Sequence, residues 1–372
     1  MRKLVGLIVV CCLGGPALAC TGGEADASNV ITIPNDIGWT PPEGNDPPPG
    51  GSGGTAGTGG TGGTAGASDD PEANVALEWR SSGCGQPLPA EQVPTVPGSR
   101  EGYTLFTVMQ TGETITGNDP SKVTTRDIFV RVPFDYDPNK AYPVVYVGIG
   151  CGAGTGQNAS YPLFDESKGG SEQAIYVGVS LPPNQPNGPC YDNRAGESSQ
   201  EWEAFELFHT LVESTYCADN NRVFVGGYST GGWLANMWGC YFAGLDPNRK
   251  FAPNFRIRGQ AATTGNQPEN NPECNGPVAG LWIHDQDDTV NLIAGNIAGL
   301  DRVLTMNGCV DSPTEPWGDG NGLPEVCERY TDCPAEYPVI FCTTTGRGHS
   351  DQPERTIPGY TQFFNLMTPA AQ

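Results

Sequence analysis

The sequence predicts an α/β fold: a mostly parallel central sheet flanked by helices and stapled by disulfides. Three observations carry that expectation. Short apolar, β-branched runs alternate with helix-like segments through the second half of the chain. One strand-like run leads straight into Gly227-Tyr228-Ser229-Thr230-Gly231 and then into a helix-like run, the context of a nucleophile elbow. Ten cysteines, an even number, fall between 84 and 342.

The chain opens on Arg2 and Lys3, an apolar run over 4–13 and Ala17-Leu18-Ala19. This pattern reads as an export signal over 1–19, with an apolar run too short to span a bilayer. Cys20 follows directly. That placement is similar to bacterial lipoprotein signals, in which the new N-terminal cysteine is acylated. Ala17 stands where such signals carry leucine, so ordinary secretion with a free Cys20 stays open beside it. Residues 20–75 are read as a flexible linker or tether. They hold Pro47-Pro48-Pro49 and then a Gly/Thr/Ala tract, a composition unable to bury a core. About 50 such residues span roughly 40 Å root-mean-square.

Residues 76–372 are expected to form one domain. Within it, 102–108 and 127–132 alternate apolar and polar residues, as strands with one wet face do. The runs 143–147 and 174–179 are continuously apolar, the pattern of strands buried on both faces. Further strands are expected at 222–226, 256–261, 278–283 and 338–341, and helices at 201–215, 232–240 and 291–306. Functional groups in such a sheet belong on loops at the carboxyl ends of strands.

The chain carries 42 acidic against 19 basic residues, a formal charge of −23. Without a basic patch to neutralise phosphates, a nucleic-acid partner is not expected. Of 13 cysteines, Cys11 and Cys12 leave with the signal and Cys20 marks its end. The other ten are expected to be oxidised to disulfides, since no paired Cys-x-x-Cys or Cys/His spacing supports zinc. Cys327 and Cys333 are close enough in sequence to staple one loop, although ten cysteines leave the pairing open.

A serine hydroxyl becomes a useful nucleophile when a neutral histidine takes its proton and a carboxylate holds that histidine. Three histidines exist. His209 lies by the apolar stripe of the 201–215 helix and reads as packed. His284 ends a strand ahead of an acidic loop and reads as its support. His349, in a glycine-flanked loop near the C-terminus, is the expected base for Ser229. The acid is expected among Asp285, Asp287 and Asp288, which gives the order Ser, Asp, His. The loop Gly148-Ile149-Gly150-Cys151-Gly152 follows a buried strand, where the second oxyanion amide belongs. The expected donors are the N–H groups of Cys151 and Thr230. Neither a metal nor an organic cofactor is expected.

These motifs together point to a family. The stretch from 82 to 364 resembles the exported esterases that include polyhydroxybutyrate depolymerases and feruloyl esterases. The resemblance rests on Ser82-Gly-Cys-Gly-Gln-Pro-Leu-Pro89, the turn over 135–143, the 217–232 stretch that ends in the elbow, the His284-x-x-x-Asp288 loop and Gly348-His349. It departs at Ile149-Gly150 and at His284-Asp285, where the family often has His-Gly. The resemblance implies an α/β-hydrolase fold, a serine carboxylester hydrolase, and Asp288 as the acid, four residues after the loop histidine. Asp287 is the alternative. It also implies a polymeric ester substrate: feruloyl or acetyl groups on polysaccharide, or hydroxyalkanoate polyesters. The rival expectation is a non-catalytic surface protein on the same scaffold.

Overall fold

The computed structural model describes residues 30–31, 79–96, 101–111, 123–153, 173–182, 190–192, 200–246, 249, 252, 254–267, 274–318, 323 and 327–367. The export signal, Cys20 and nearly all of the 20–75 segment lie outside the described residues. Within that segment, β1 (Val30–Ile31) pairs parallel to β2 (Thr104–Thr111) at the sheet edge.

The other strands are β3 (Val123–Arg131), β4 (Tyr142–Gly148), β5 (Ile175–Val179), β6 (Ala218–Tyr228), β7 (Ile257–Thr263), β8 (Ala279–Asp285), β9 (Thr314–Pro316), β10 (Cys327–Tyr330) and β11 (Val339–Thr344). They form one sheet in the order β1-β2-β3-β5-β4-β6-β7-β8-β11-β10-β9. The centre, from β5 through β11, is parallel throughout, and antiparallel strands close both sides. This matches the expected mostly parallel sheet. Every residue of β5 and β8 is buried, as the continuous apolar runs require of strands covered on both faces.

Four helices are described: α1 (Gln200–Thr215), α2 (Thr230–Tyr241), α3 (Ile293–Asn307) and α4 (Pro353–Leu366). Successive Cβ positions on a strand point to opposite faces. A Cβ on Gly226 would meet the Tyr360 ring of α4, whereas one on Gly227 would meet the Gly231 backbone of α2. The two helices therefore cover opposite faces of β6. α1 lies on the α2 side, where Phe205 packs against Tyr146 and Trp238. Among the described helices, none is long and apolar enough to cross a membrane.

Five disulfides join Cys84–Cys217, Cys151–Cys190, Cys240–Cys274, Cys309–Cys333 and Cys327–Cys342. All ten domain cysteines are thus paired, as an oxidising compartment permits. The expected loop staple between Cys327 and Cys333 is corrected. Cys327 stands opposite Cys342 in the β10–β11 register, so its nearest sulfur lies across the sheet. Cys333 instead reaches Cys309, just beyond the left-handed cap Gly308 that ends α3.

Candidate active site

The site is built where β6 turns into α2. The turn needs glycine on either side of Ser229 because backbones touch there. A Cβ on Gly227 would come 2.4 Å from Gly231 C, and one on Gly231 would come 2.2 Å from Gly148 O at the end of β4. Ser229 itself takes φ 56° and ψ −120°, a conformation that costs a non-glycine residue of order 1–3 kcal/mol. Two hydrogen bonds hold it: Ser229 N–H donates to Thr263 O (3.0 Å), and Ser229 O accepts from Trp233 N–H (3.1 Å). The side chain is left half-buried at the carboxyl edge of the sheet. Thr230 opens α2, so its N–H has no intrahelical carbonyl to bond.

Two loops from further along the sheet meet Ser229. β8 and β11 run parallel in a register that ends with Thr344 beside Asp285, so the acidic loop and the histidine loop leave the sheet side by side. His349 Nε2 lies 2.9 Å from Ser229 Oγ, and His349 Nδ1 lies 2.8 Å from Asp288 Oδ2. The Asp288 side chain is 0% exposed and that of His349 16%. Asp288 Oδ1 accepts the N–H groups of Val290 (2.8 Å) and Asn291 (3.0 Å). Each carboxylate oxygen is therefore engaged, and the one facing His349 favours an imidazole with its proton on Nδ1. Nε2 is then the acceptor for the serine hydroxyl. This arrangement can move the Ser229 proton to His349 while a buried carboxylate faces the imidazolium that results.

His284 lies behind this line and has a different environment. Asn296 Nδ2 donates to its Nδ1 (2.9 Å) and its Nε2–H donates to Asn291 O (2.9 Å). Burial lowers its pKa, so the ring stays neutral, with Nε2 also 3.5 Å from Asp288 Oδ2. It supports the loop, as its position in the sequence suggested. Asp287 does not reach His349. It is exposed, and its Oδ2 accepts the N–H of Gly346 (2.7 Å).

The glycine loop after β4 reaches the same place. A Cβ on Gly150 would lie 3.5 Å from Ser229 Cβ and 2.9 Å from the Tyr228 ring, so the backbone at Gly150 packs closely against the elbow. Cys151 is exposed there and bonded to Cys190. The neighbouring Tyr191 hydroxyl accepts the N–H of Ile149 (3.1 Å) and donates to Val179 O (2.5 Å).

Three contributors were not singled out from sequence. Tyr228 packs its ring 5.3 Å from that of His349 and donates its hydroxyl to His349 O (3.4 Å). Tyr360 of α4 braces the underside of the elbow with its hydroxyl near Gly227 O and Ala261 O. Tyr191 braces the glycine loop. Position x of the G-x-S-x-G motif is the one signal in the sequence that marks Tyr228.

No protein-family model matches the chain. It is similar to feruloyl esterase D of Neurospora crassa, 25% identical over 307 residues that cover 78% of this chain and 88% of that protein. It is also similar to a probable feruloyl esterase C of Aspergillus terreus, 24% identical over 240 residues, 63% of this chain and 80% of the relative. Among solved structures, the ferulic acid esterase of Anaeromyces mucronatus in complex with ferulic acid aligns with 75% of this chain and 96% of its own. That match has 15% identity and a TM-score of 0.44. The acetyl xylan esterase of Aspergillus awamori aligns with 69% of this chain and 99% of its own, at 16% identity and a TM-score of 0.43. With its parallel sheet, helices and sequence relatives, the chain is a carboxylic ester hydrolase of the α/β-hydrolase fold, similar to the feruloyl esterases.

Proposed function

We propose that the chain is an exported serine esterase that cleaves feruloyl or acetyl groups from polysaccharide through a Ser229–His349–Asp288 triad. The observation that carries this reading is the unbroken line from Ser229 Oγ through both ring nitrogens of His349 to buried Asp288. Ser229 Oγ attacks the ester carbonyl carbon as its proton passes to His349 Nε2. The carbonyl oxygen takes the negative charge and is held by the N–H groups of Cys151 and Thr230, beside the positive end of the α2 dipole. The C–O bond to the alcohol then breaks, and the leaving oxygen takes the proton from His349. Water, deprotonated by His349, attacks the acyl-enzyme carbonyl; the bond to Ser229 Oγ then breaks as Oγ takes the proton back from His349, and the acid leaves. The names of the sequence relatives favour feruloyl over hydroxyalkanoate substrates.

Export follows from the 1–19 signal, with Cys20 as the first residue of the mature chain. The mass of the mature N-terminal peptide reports whether Cys20 is acylated or free.

The test is Ser229→Ala. The wild type should react covalently with a fluorophosphonate and hydrolyse methyl ferulate, and the variant should do neither while melting at nearly the same temperature. A folded wild type that neither labels nor turns over methyl ferulate, p-nitrophenyl acetate or amorphous polyhydroxybutyrate would leave a non-catalytic surface protein as the better reading.

A further inference from the structure

We infer that Asp285 is a positioning residue for His349, holding the backbone of the histidine loop while Asp288 holds the ring. The inference rests on the proposed role of His349 as proton carrier.

Asp285 is the last residue of β8 and is fully buried. Its carboxylate does not contact His349. Oδ2 accepts from Thr344 Oγ1 (2.8 Å) and from Arg347 N–H (3.0 Å), and Oδ1 accepts from Asp287 N–H (2.9 Å) and Gly348 N–H (3.1 Å). Two of these four donors are the peptide groups immediately before His349. The loop between β11 and α4 has no ladder partner beyond Thr344. Gly346 and Gly348 both stand at positive φ, 74° and 58°, so the segment contains two of the most permissive residues available. Something must select one path for it, and the carboxylate at 285 supplies two fixed acceptors that do so. Asp287 adds a third anchor at Gly346 N–H, and Gln352 Nε2 donates to Thr344 Oγ1 (3.3 Å) from the far end of the loop. Burial alone would raise the Asp285 pKa, but the four donors outweigh it and hold the carboxyl below its usual range. A glycine at 285 would offer none of these acceptors.

Asp285→Asn breaks the arrangement in either amide orientation. If the amide nitrogen replaces Oδ2, it faces Arg347 N–H, and if it replaces Oδ1, it faces Gly348 N–H. One loop donor always meets another donor. The expected result is a kcat for methyl ferulate about 10²-fold lower with KM within about twofold, because His349 is displaced while the substrate pocket is intact. The His349 Nδ1–H proton resonance should broaden or shift in the variant, a readout independent of turnover. Asp287→Ala, an exposed change that leaves folding intact, should lower kcat by a few-fold in the same direction. Wild-type kcat and an unmoved Nδ1–H resonance in folded Asp285→Asn would overturn the inference. So would a loss in Asp285→Asn confined to KM or to melting temperature. Should the wild type prove inactive on esters, the reading of function fails separately, and the Nδ1–H resonance still decides whether Asp285 positions the ring.

Discussion

His209 and His349 have the same side chain in opposite circumstances. His209 sits in α1, fully buried. Tyr146 Oη donates to its Nδ1 at 3.0 Å, and its Nε2–H donates to Asn220 Oδ1 at 3.2 Å. Both partners are neutral, and burial drives its pKa down to about 3 against the smaller opposing effect of the Asn220 bond. The ring is held neutral with both nitrogens engaged and does no proton transfer. His349 instead has a buried carboxylate on one nitrogen and a half-buried hydroxyl on the other, and its own ring is partly exposed. Hydrogen-bonding capacity is filled in both places. The difference is that only His349 has a counter-charge in place for the cation it would become.

The sharpest way to break the contrast is to remove that counter-charge. In Asp288→Asn the amide oxygen can still accept the Val290 and Asn291 N–H groups, which leaves the amide nitrogen facing His349 Nδ1. Nδ1 must then accept, Nε2 carries the proton, and Ser229 loses its base. We expect kcat to fall by about 10³–10⁴ with the fold intact. Asp287→Asn should stay within a few-fold of wild type. Ester kinetics on the two variants side by side would read the difference, and equal losses would dissolve the distinction drawn between the two acids.

The converse experiment is His209→Leu. It strands the Tyr146 hydroxyl and the Asn220 side chain without their ring partners, at a cost of about 2–4 kcal/mol. Activity below the melting temperature should be unchanged. Because the folded pKa of His209 is depressed, its contribution to stability is complete above about pH 6.5. It is lost as pH falls toward about 3, since the unfolded chain takes up the proton first. The gap between wild type and variant, followed by thermal melts, should therefore narrow from pH 7.5 to pH 4. A gap that widens toward acid would mean that His209 is charged in the folded protein.

A smaller effect is expected one residue further out. Asn220 Nδ2 donates to Glu213 Oε2 at 2.9 Å, and burial raises the Glu213 pKa to about 7. Here the folded state holds its proton more tightly than the unfolded state. Stability is complete below about pH 4.5 and declines as pH rises to about 7, the reverse of His209. Glu213→Gln keeps an acceptor for Asn220 and removes the ionisation. The variant should gain about 1–3 kcal/mol over wild type at pH 7.5 and nothing at pH 4.5. Melting curves at the two pH values test it, and an equal shift at both would point to packing rather than charge.

Much of this candidate site is legible in the sequence alone. Ser229 stood out because glycines two positions to either side, between a strand and a helix, leave little else for the turn to be. His349 emerged by elimination, since a histidine seven residues after Trp202 and four after Phe205 belongs to a helix stripe. The acid narrowed to one short loop. The choice inside that loop depended on a turn: Asp288 N–H bonds back to Asp285 O at 3.2 Å, which sends Asp287 outward and Asp288 under His349. α4 escaped notice because Pro358 interrupts its pattern. It is held by burial of Tyr360, Phe363 and Phe364, including a stacked contact between Phe364 and Phe224 of β6.

By itself, the sequence determined the periodicities, the glycines that permit close backbone approach, and the residue types able to perform acyl transfer. These are local properties, set by a few adjacent positions and by the sterics of the chain. Which aspartate faces the histidine and how Asp285 reaches the loop beyond Thr344 were decided only when β8 and β11 came to lie side by side, and which cysteines pair was decided by other contacts of the folded chain, such as the β10–β11 register that sets Cys327 opposite Cys342. Those outcomes depend on distances between residues from 15 to 133 positions apart. Such distances are fixed by sheet register and packing, and no short window of sequence contains them.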